Sequence, residues 1–68
     1  MKTFLEDLEK YPPRFGRQAV GELFPGIVSS KQLANLASRG EGPPYLVVRR
    51  RVTYERESFL RWLDEQAR

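Results

Sequence analysis

With 68 residues, 40% of them hydrophobic, and a net charge of +3, the chain makes one small domain; a chain this short buries only about 60% of the surface its unfolded form exposes. Cysteine and histidine are both absent, which removes disulfides, thiolate metal sites, thiol nucleophiles and the usual neutral-pH acid/base group, and argues against an enzyme, a bound metal or a cofactor. No segment approaches membrane-spanning length, and Glu6 and Asp7 interrupt the N-terminal apolar residues where a signal sequence would need continuity, so the expectation is a cytoplasmic protein with no membrane partner.

In chain order, Phe4, Leu5, Leu8 and Tyr11 recur at helical spacing, and the spacing predicts a short amphipathic helix over residues 3–11, stopped by Pro12-Pro13. Its apolar side reads as core. Residues 14–24 read as a second helix, with Ala19, Val20 and Leu23 on the buried side and Phe15 ahead of it as a staple. It must end near Phe24, because the residue before a proline is pushed out of the helical region. Gly26 can then take a positive φ.

The stretch PGIVSSKQLANLASRG, residues 25–40, carries the strongest local signal. Ser29 and Gln32 have the spacing of a capping box. Leu33, Leu36 and Ala37 form an apolar stripe, while Lys31, Gln32, Asn35, Ser38 and Arg39 lie off it with no acid among them. Cationic and amide side chains on one helix face suit the major groove of double-stranded DNA. A helix, a tight glycine-containing connection and a second helix with a polar face form a helix-turn-helix; the plainer reading is a helical hairpin that packs for stability alone.

GEGPP, residues 40–44, cannot continue that helix. YLVVRRRVTY then reads as two β-rich runs around Arg49, Arg50 and Arg51. A three-residue loop at these arginines would pair Val48 with Val52 and Leu46 with Tyr54, gathering four apolar residues on one face; a two-residue loop at Arg49-Arg50 would leave that face mixed. The expectation is the three-residue loop. Three successive arginines at a hairpin tip repel one another unless an anion sits between them, although charge at a turn also keeps an edge strand soluble. From Glu55 onward, Phe59, Trp62, Leu63 and Gln66 or Ala67 mark a last amphipathic helix, with Glu55 and Glu57 near its positive end. Phe59 and Trp62 read as core.

Charge is unevenly placed. Residues 1–13 are net −1, residues 14–54 net +5 and residues 55–68 net −1, as expected when one surface faces phosphate and the others face water. Scattered carboxylates such as Glu6, Asp7, Asp64 and Glu65, the candidates for catalysis by residue type, read as solvated helix faces.

The order of helix, PGIVSSKQLANLASRG, GPPY, an arginine-tipped hairpin, Tyr54 and a final helix containing FLRWL resembles the excisionase-like and MerR-like winged helix domains, including the small AlpA-type prophage regulators. The resemblance runs over residues 17–66; residues 1–16 fall outside it as an N-terminal extension or extra helix. It implies one mostly α winged helix-turn-helix domain over residues 1–68, with three to four short helices and a two-stranded wing. It also implies that Ser29, Ser30, Lys31, Gln32, Asn35 and Arg39 face the major groove while Arg49, Arg50 and Arg51 follow the backbone or enter the adjacent minor groove. Family members commonly have glycine where this chain has Arg49.

The function expected is therefore sequence-specific DNA binding, as an excisionase-like recombination directionality factor or a small prophage-type transcription regulator. Arg17, Arg39 and the hairpin arginines would contact phosphate, and Lys31, Gln32 and Asn35 would read base edges. A small footprint favours further copies side by side on DNA. The alternative is a protein-interaction adaptor that docks on a recombinase or packaging complex through Phe4, Leu5 and Leu8.

Overall fold

A computed structural model describes residues 4–66. Helical turns make up about half of it, around a three-stranded antiparallel sheet, so the chain is a small mixed α/β domain. The strands are β1 (Arg14–Gly16), β2 (Leu46–Val48) and β3 (Arg51–Glu55), in the order β1-β3-β2. The α-helices are α1 (Val20–Leu23), α2 (Ser30–Ser38) and α3 (Arg56–Gln66). Among the described residues no helix is long and apolar enough to cross a membrane.

The first difference from the sequence reading lies at β1. Residues 14–16 form a strand, and only Arg17–Ala19, a 3-10 turn, and α1 are helical in the stretch expected to be one helix. The expected two-stranded hairpin thereby becomes a three-stranded sheet. Pro12 and Pro13 deliver an extended chain, and the partner strand completes it: Arg14 pairs with Glu55, Phe15 with Tyr54 and Gly16 with Thr53. Phe15 and Tyr54 both point inward, 5% and 1% exposed, and burying two aromatic side chains outweighs the weak helix preference of three residues ending in glycine.

Phe24 caps α1 in a non-helical conformation, and the chain turns through Pro25 and Gly26, whose φ is 76°. The expected capping box is present. Ser29 Oγ accepts from Gln32 N at 3.1 Å, and Gln32 Oε1 accepts from Ser29 N at 2.9 Å. At the other end of α2, Glu41 N donates to Leu36 O at 2.8 Å and Gly40 N to Ala37 O at 3.0 Å, a Schellman closure with Gly40 at φ 72°. Gly42 is needed twice over: its φ is 95°, and a Cβ there would lie 3.2 Å from Leu36 Cβ.

The core joins Phe15, Val20, Phe24, Val28, Leu33, Tyr54, Phe59, Leu60 and Leu63. Phe59 is central, with ring centroids 5.1 Å from each of Phe15, Phe24 and Tyr54. Trp62 packs at its edge, 6.0 Å from Phe59 and half-buried. The N-terminal segment is a 3-10 helix, Leu5–Lys10, kinked at Asp7. Phe4, Leu5, Leu8 and Tyr11 pack inward as expected, Tyr11 stacking on Phe24 at 4.8 Å. Asp64 is no solvated face residue: its carboxylate accepts from Phe4 N at 2.8 Å and Leu5 N at 3.2 Å, tying the first turn to α3. Thr3 and Ala67, which the sequence reading placed in the outer helices, lie outside the described residues.

The second difference is the hairpin register. Leu46 pairs with Thr53, Val47 with Val52 and Val48 with Arg51, so the loop is the two residues Arg49-Arg50. Arg49 and Arg50 have φ of 51° and 67°, a type I′ turn whose twist matches that of the strands it joins. Val47, Val52 and Tyr54 therefore share the inner face, and Leu46 and Val48 turn to the outer face beside Thr53 and Arg51. The expected gathering of four apolar residues offered no gain, because β2 projects past the core and all three of its residues are exposed. Turn geometry decides the register where burial cannot.

Candidate nucleic-acid interface

Two elements carry the cationic surface. On α2 the capped end fixes the helix and Leu33 anchors it at 1% exposure, which leaves Ser30, Lys31, Gln32, Asn35, Ser38 and Arg39 outward. Lys31 and Asn35 are four residues apart and so stand one above the other on this face. On the hairpin, the type I′ turn holds Arg49 and Arg50 at the tip and Arg51 opens β3, all three exposed.

The partners of the basic side chains sort them sharply. Lys10 is paired with Asp7 at 3.6 Å, Arg39 with Glu41 at 3.1 Å and Arg61 with Glu57 at 3.3 Å. Arg17 Nε donates to the Tyr54 hydroxyl at 3.1 Å, Arg56 donates to Tyr11 O at 2.8 Å, and Arg14 reaches Thr53 Oγ1 at 3.4 Å. Among the described residues, the cations left with no hydrogen bond or ion pair are Lys31, Arg49, Arg50 and Arg51.

Several expected site residues thus have structural duties. Ser29 spends its hydroxyl on the cap, and Gln32 spends its carbonyl oxygen there, leaving only its amide N–H groups outward. Arg17 is partly buried against Tyr54 and Arg39 is neutralised by Glu41, although that pair is exposed and weak. Ser30, Lys31, Asn35 and the three hairpin arginines remain outward. No hydrogen bond or ion pair joins α2 to the hairpin among the described residues, so each element is held from the core separately. Arg14, absent from the expected site, stands on the outer face of the sheet with Arg51, and a strand of three residues is too short for its alternation to announce it.

One carboxyl is strongly placed by its hydrogen bonds. Glu55, last residue of β3, accepts from Glu57 N at 2.8 Å and Ser58 N at 3.0 Å, capping α3. Those two backbone N–H groups hold its pKa below the ordinary carboxylate value, against a smaller opposing effect of burial, with the Ser58 hydroxyl and Arg14 adding to the lowering. The chain matches no family model, no curated protein and no solved structure.

Proposed function

We propose that this chain binds double-stranded DNA as a winged helix-turn-helix module, with α1, residues 25–28 and α2 as the helix-turn-helix and the β2–β3 hairpin as the wing. The observation that carries this reading is the sorting of cations. Every other basic side chain among the described residues has a partner, whereas Lys31 on the acid-free face of α2 and the three arginines of the hairpin have none. Holding Arg49 and Arg50 in the left-handed region costs about 1–2 kcal/mol each, and packing three positive charges together adds repulsion. An anionic partner offsets both.

In this reading Lys31 and Asn35 enter the major groove, lysine suited to guanine acceptors and asparagine to adenine, while the wing contacts phosphate. The role fits a prophage-type transcription regulator or an excisionase-like recombination factor acting beside a recombinase. The adaptor alternative would need a new surface, since Phe4, Leu5 and Leu8 pack against the core.

The test is a duplex titration across salt concentrations. Four free cations give a slope of log K against log salt of about −3.6, and replacing Arg49, Arg50 and Arg51 with alanine flattens it by about 2.7. Absence of duplex binding at low salt, or a slope unmoved by the triple replacement, overturns the reading.

A further inference from the structure

β2 supplies three of the five exposed large apolar side chains among the described residues. Leu46, Val47 and Val48 are 56%, 61% and 49% exposed, Tyr45 before them is 47% exposed, and the strand lies at the sheet edge, paired on one side only. Edge strands in soluble proteins are ordinarily blunted by shortness, a charge, a proline or a bulge. β2 is short and ends on the arginine tip, but residues 46–48 themselves carry no charge, proline or bulge. Because the pair flanking a two-residue loop exchanges both backbone bonds, alternation turns the N–H and C=O of Leu46 and Val48 toward β3 and those of Val47 outward.

We propose that β2 pairs antiparallel with β2 of a second copy of this chain, about a two-fold axis through Val47, to give a continuous six-stranded sheet. In the antiparallel sense the outward N–H and C=O of Val47 meet those of the other copy. The axis sets Val47 against Val47 and Leu46 against Val48, so apolar side chains meet on both faces, the favourable cross-strand arrangement. The antiparallel sense sends the two arginine tips to opposite ends, where a parallel copy would bring all six arginines together. Tyr45 of each copy then falls opposite Arg49 of the other, an aromatic face beside a cation. Opposed residues share a face, so the core-bearing sides of both sheets, and both α2 helices, lie on one side of the assembly.

A three-residue edge buries less than the roughly 800 Å² per partner of a stable complex. The pair is therefore monomeric when dilute and dimeric when concentrated. The test uses the full chain without DNA, so its outcome is independent of the DNA-binding reading. Sedimentation equilibrium and amide exchange are measured between ~0.02 and ~2 mM, bracketing a weak complex. The mass is expected to rise from monomer toward dimer, with the Val47 amide slowed about tenfold.

V47P, which removes the outward N–H at an edge position that tolerates proline, and V47K, which puts a charge on the edge, are both expected to stay monomeric with unchanged melting. V47K alone suffices if V47P does not fold. I27K, which alters an exposed apolar residue outside the sheet, is expected to dimerise like the parent. A monomer throughout the range, a dimer that survives V47K, or a dimer lost in I27K overturns the proposal.

Discussion

Arg17 Nε donates to the hydroxyl of Tyr54 at 3.1 Å, beside a ring that is 1% exposed. This bond makes Arg17 part of the fold, whatever its contribution to a ligand. Arg17→Ala removes the partner of a buried hydroxyl and is expected to cost about 1–3 kcal/mol. Tyr54→Phe removes the hydroxyl itself and is expected to cost less, and in that background the arginine replacement should have little further effect. Urea unfolding of the two single variants and the double variant checks the coupling. Additive losses would separate the two residues.

The hairpin turn places stability and charge in opposition. Arg49 and Arg50 occupy the left-handed region, where asparagine and glycine are the usual residues. Replacing them as R49N and R50G is expected to raise stability by about 1–2 kcal/mol while flattening the salt slope of duplex binding by about 1.8. Thermal melting and the salt titration are read on the same protein. A variant that is no more stable would place the strain elsewhere.

Much of this arrangement is legible in the residues, and each exception has a physical cause. The capping box, the end of α1 at Phe24, the positive φ of Gly26 and the anchoring of α2 by Leu33 follow from rules that act within a few residues, and each is present. β1 is hidden because its pairing partner is distant in sequence, and the hairpin register because the turn, not burial, sets it. Nothing near Arg14-Phe15-Gly16 announces that Tyr54 will lie opposite Phe15. In the hairpin, apolar residues were assumed to be buried, whereas β2 lies beyond the reach of the core. The identity of the outward cations could be read in advance; that Arg17 and Arg39 have partners could not, since Tyr54 is distant in sequence and Glu41 turns back around a helix end.

The cap of α3 gives a pH dependence. The folded carboxyl of Glu55 is held below its ordinary value by the N–H groups of Glu57 and Ser58. The unfolded chain therefore binds the proton more readily. The stabilisation is fully present above the unfolded pKa of about 4.3 and is lost as pH falls through the lower folded value. Glu55→Gln is expected to cost about 1 kcal/mol at neutral pH, as loss of a helix cap does. Urea midpoints of the parent and the variant should converge as pH is lowered below about 4. A constant gap would remove the carboxylate charge from the account.

Gln32 and Asn35 are neighbours on α2 with different employment. Gln32→Ala breaks the capping box and is expected to cost about 0.5–1 kcal/mol, with little change in preference between duplex sequences. Asn35→Ala leaves the cap intact and is expected to alter that preference while stability holds. Melting temperatures, together with binding to a selected and a random duplex, distinguish the two. Equal loss on both duplexes for Asn35→Ala would count against base reading.

On the proposed DNA-binding reading, the capping box limits how much sequence a single copy can discriminate. With Gln32 committed to the helix start, Lys31 and Asn35 are the reading side chains that remain, and they stand about 5–6 Å apart along the helix. At 3.4 Å per base pair that span covers about two letters of a duplex. On that reading, an address two letters long recurs everywhere in a genome, and the information needed to choose a site would have to be spread over several molecules bound together.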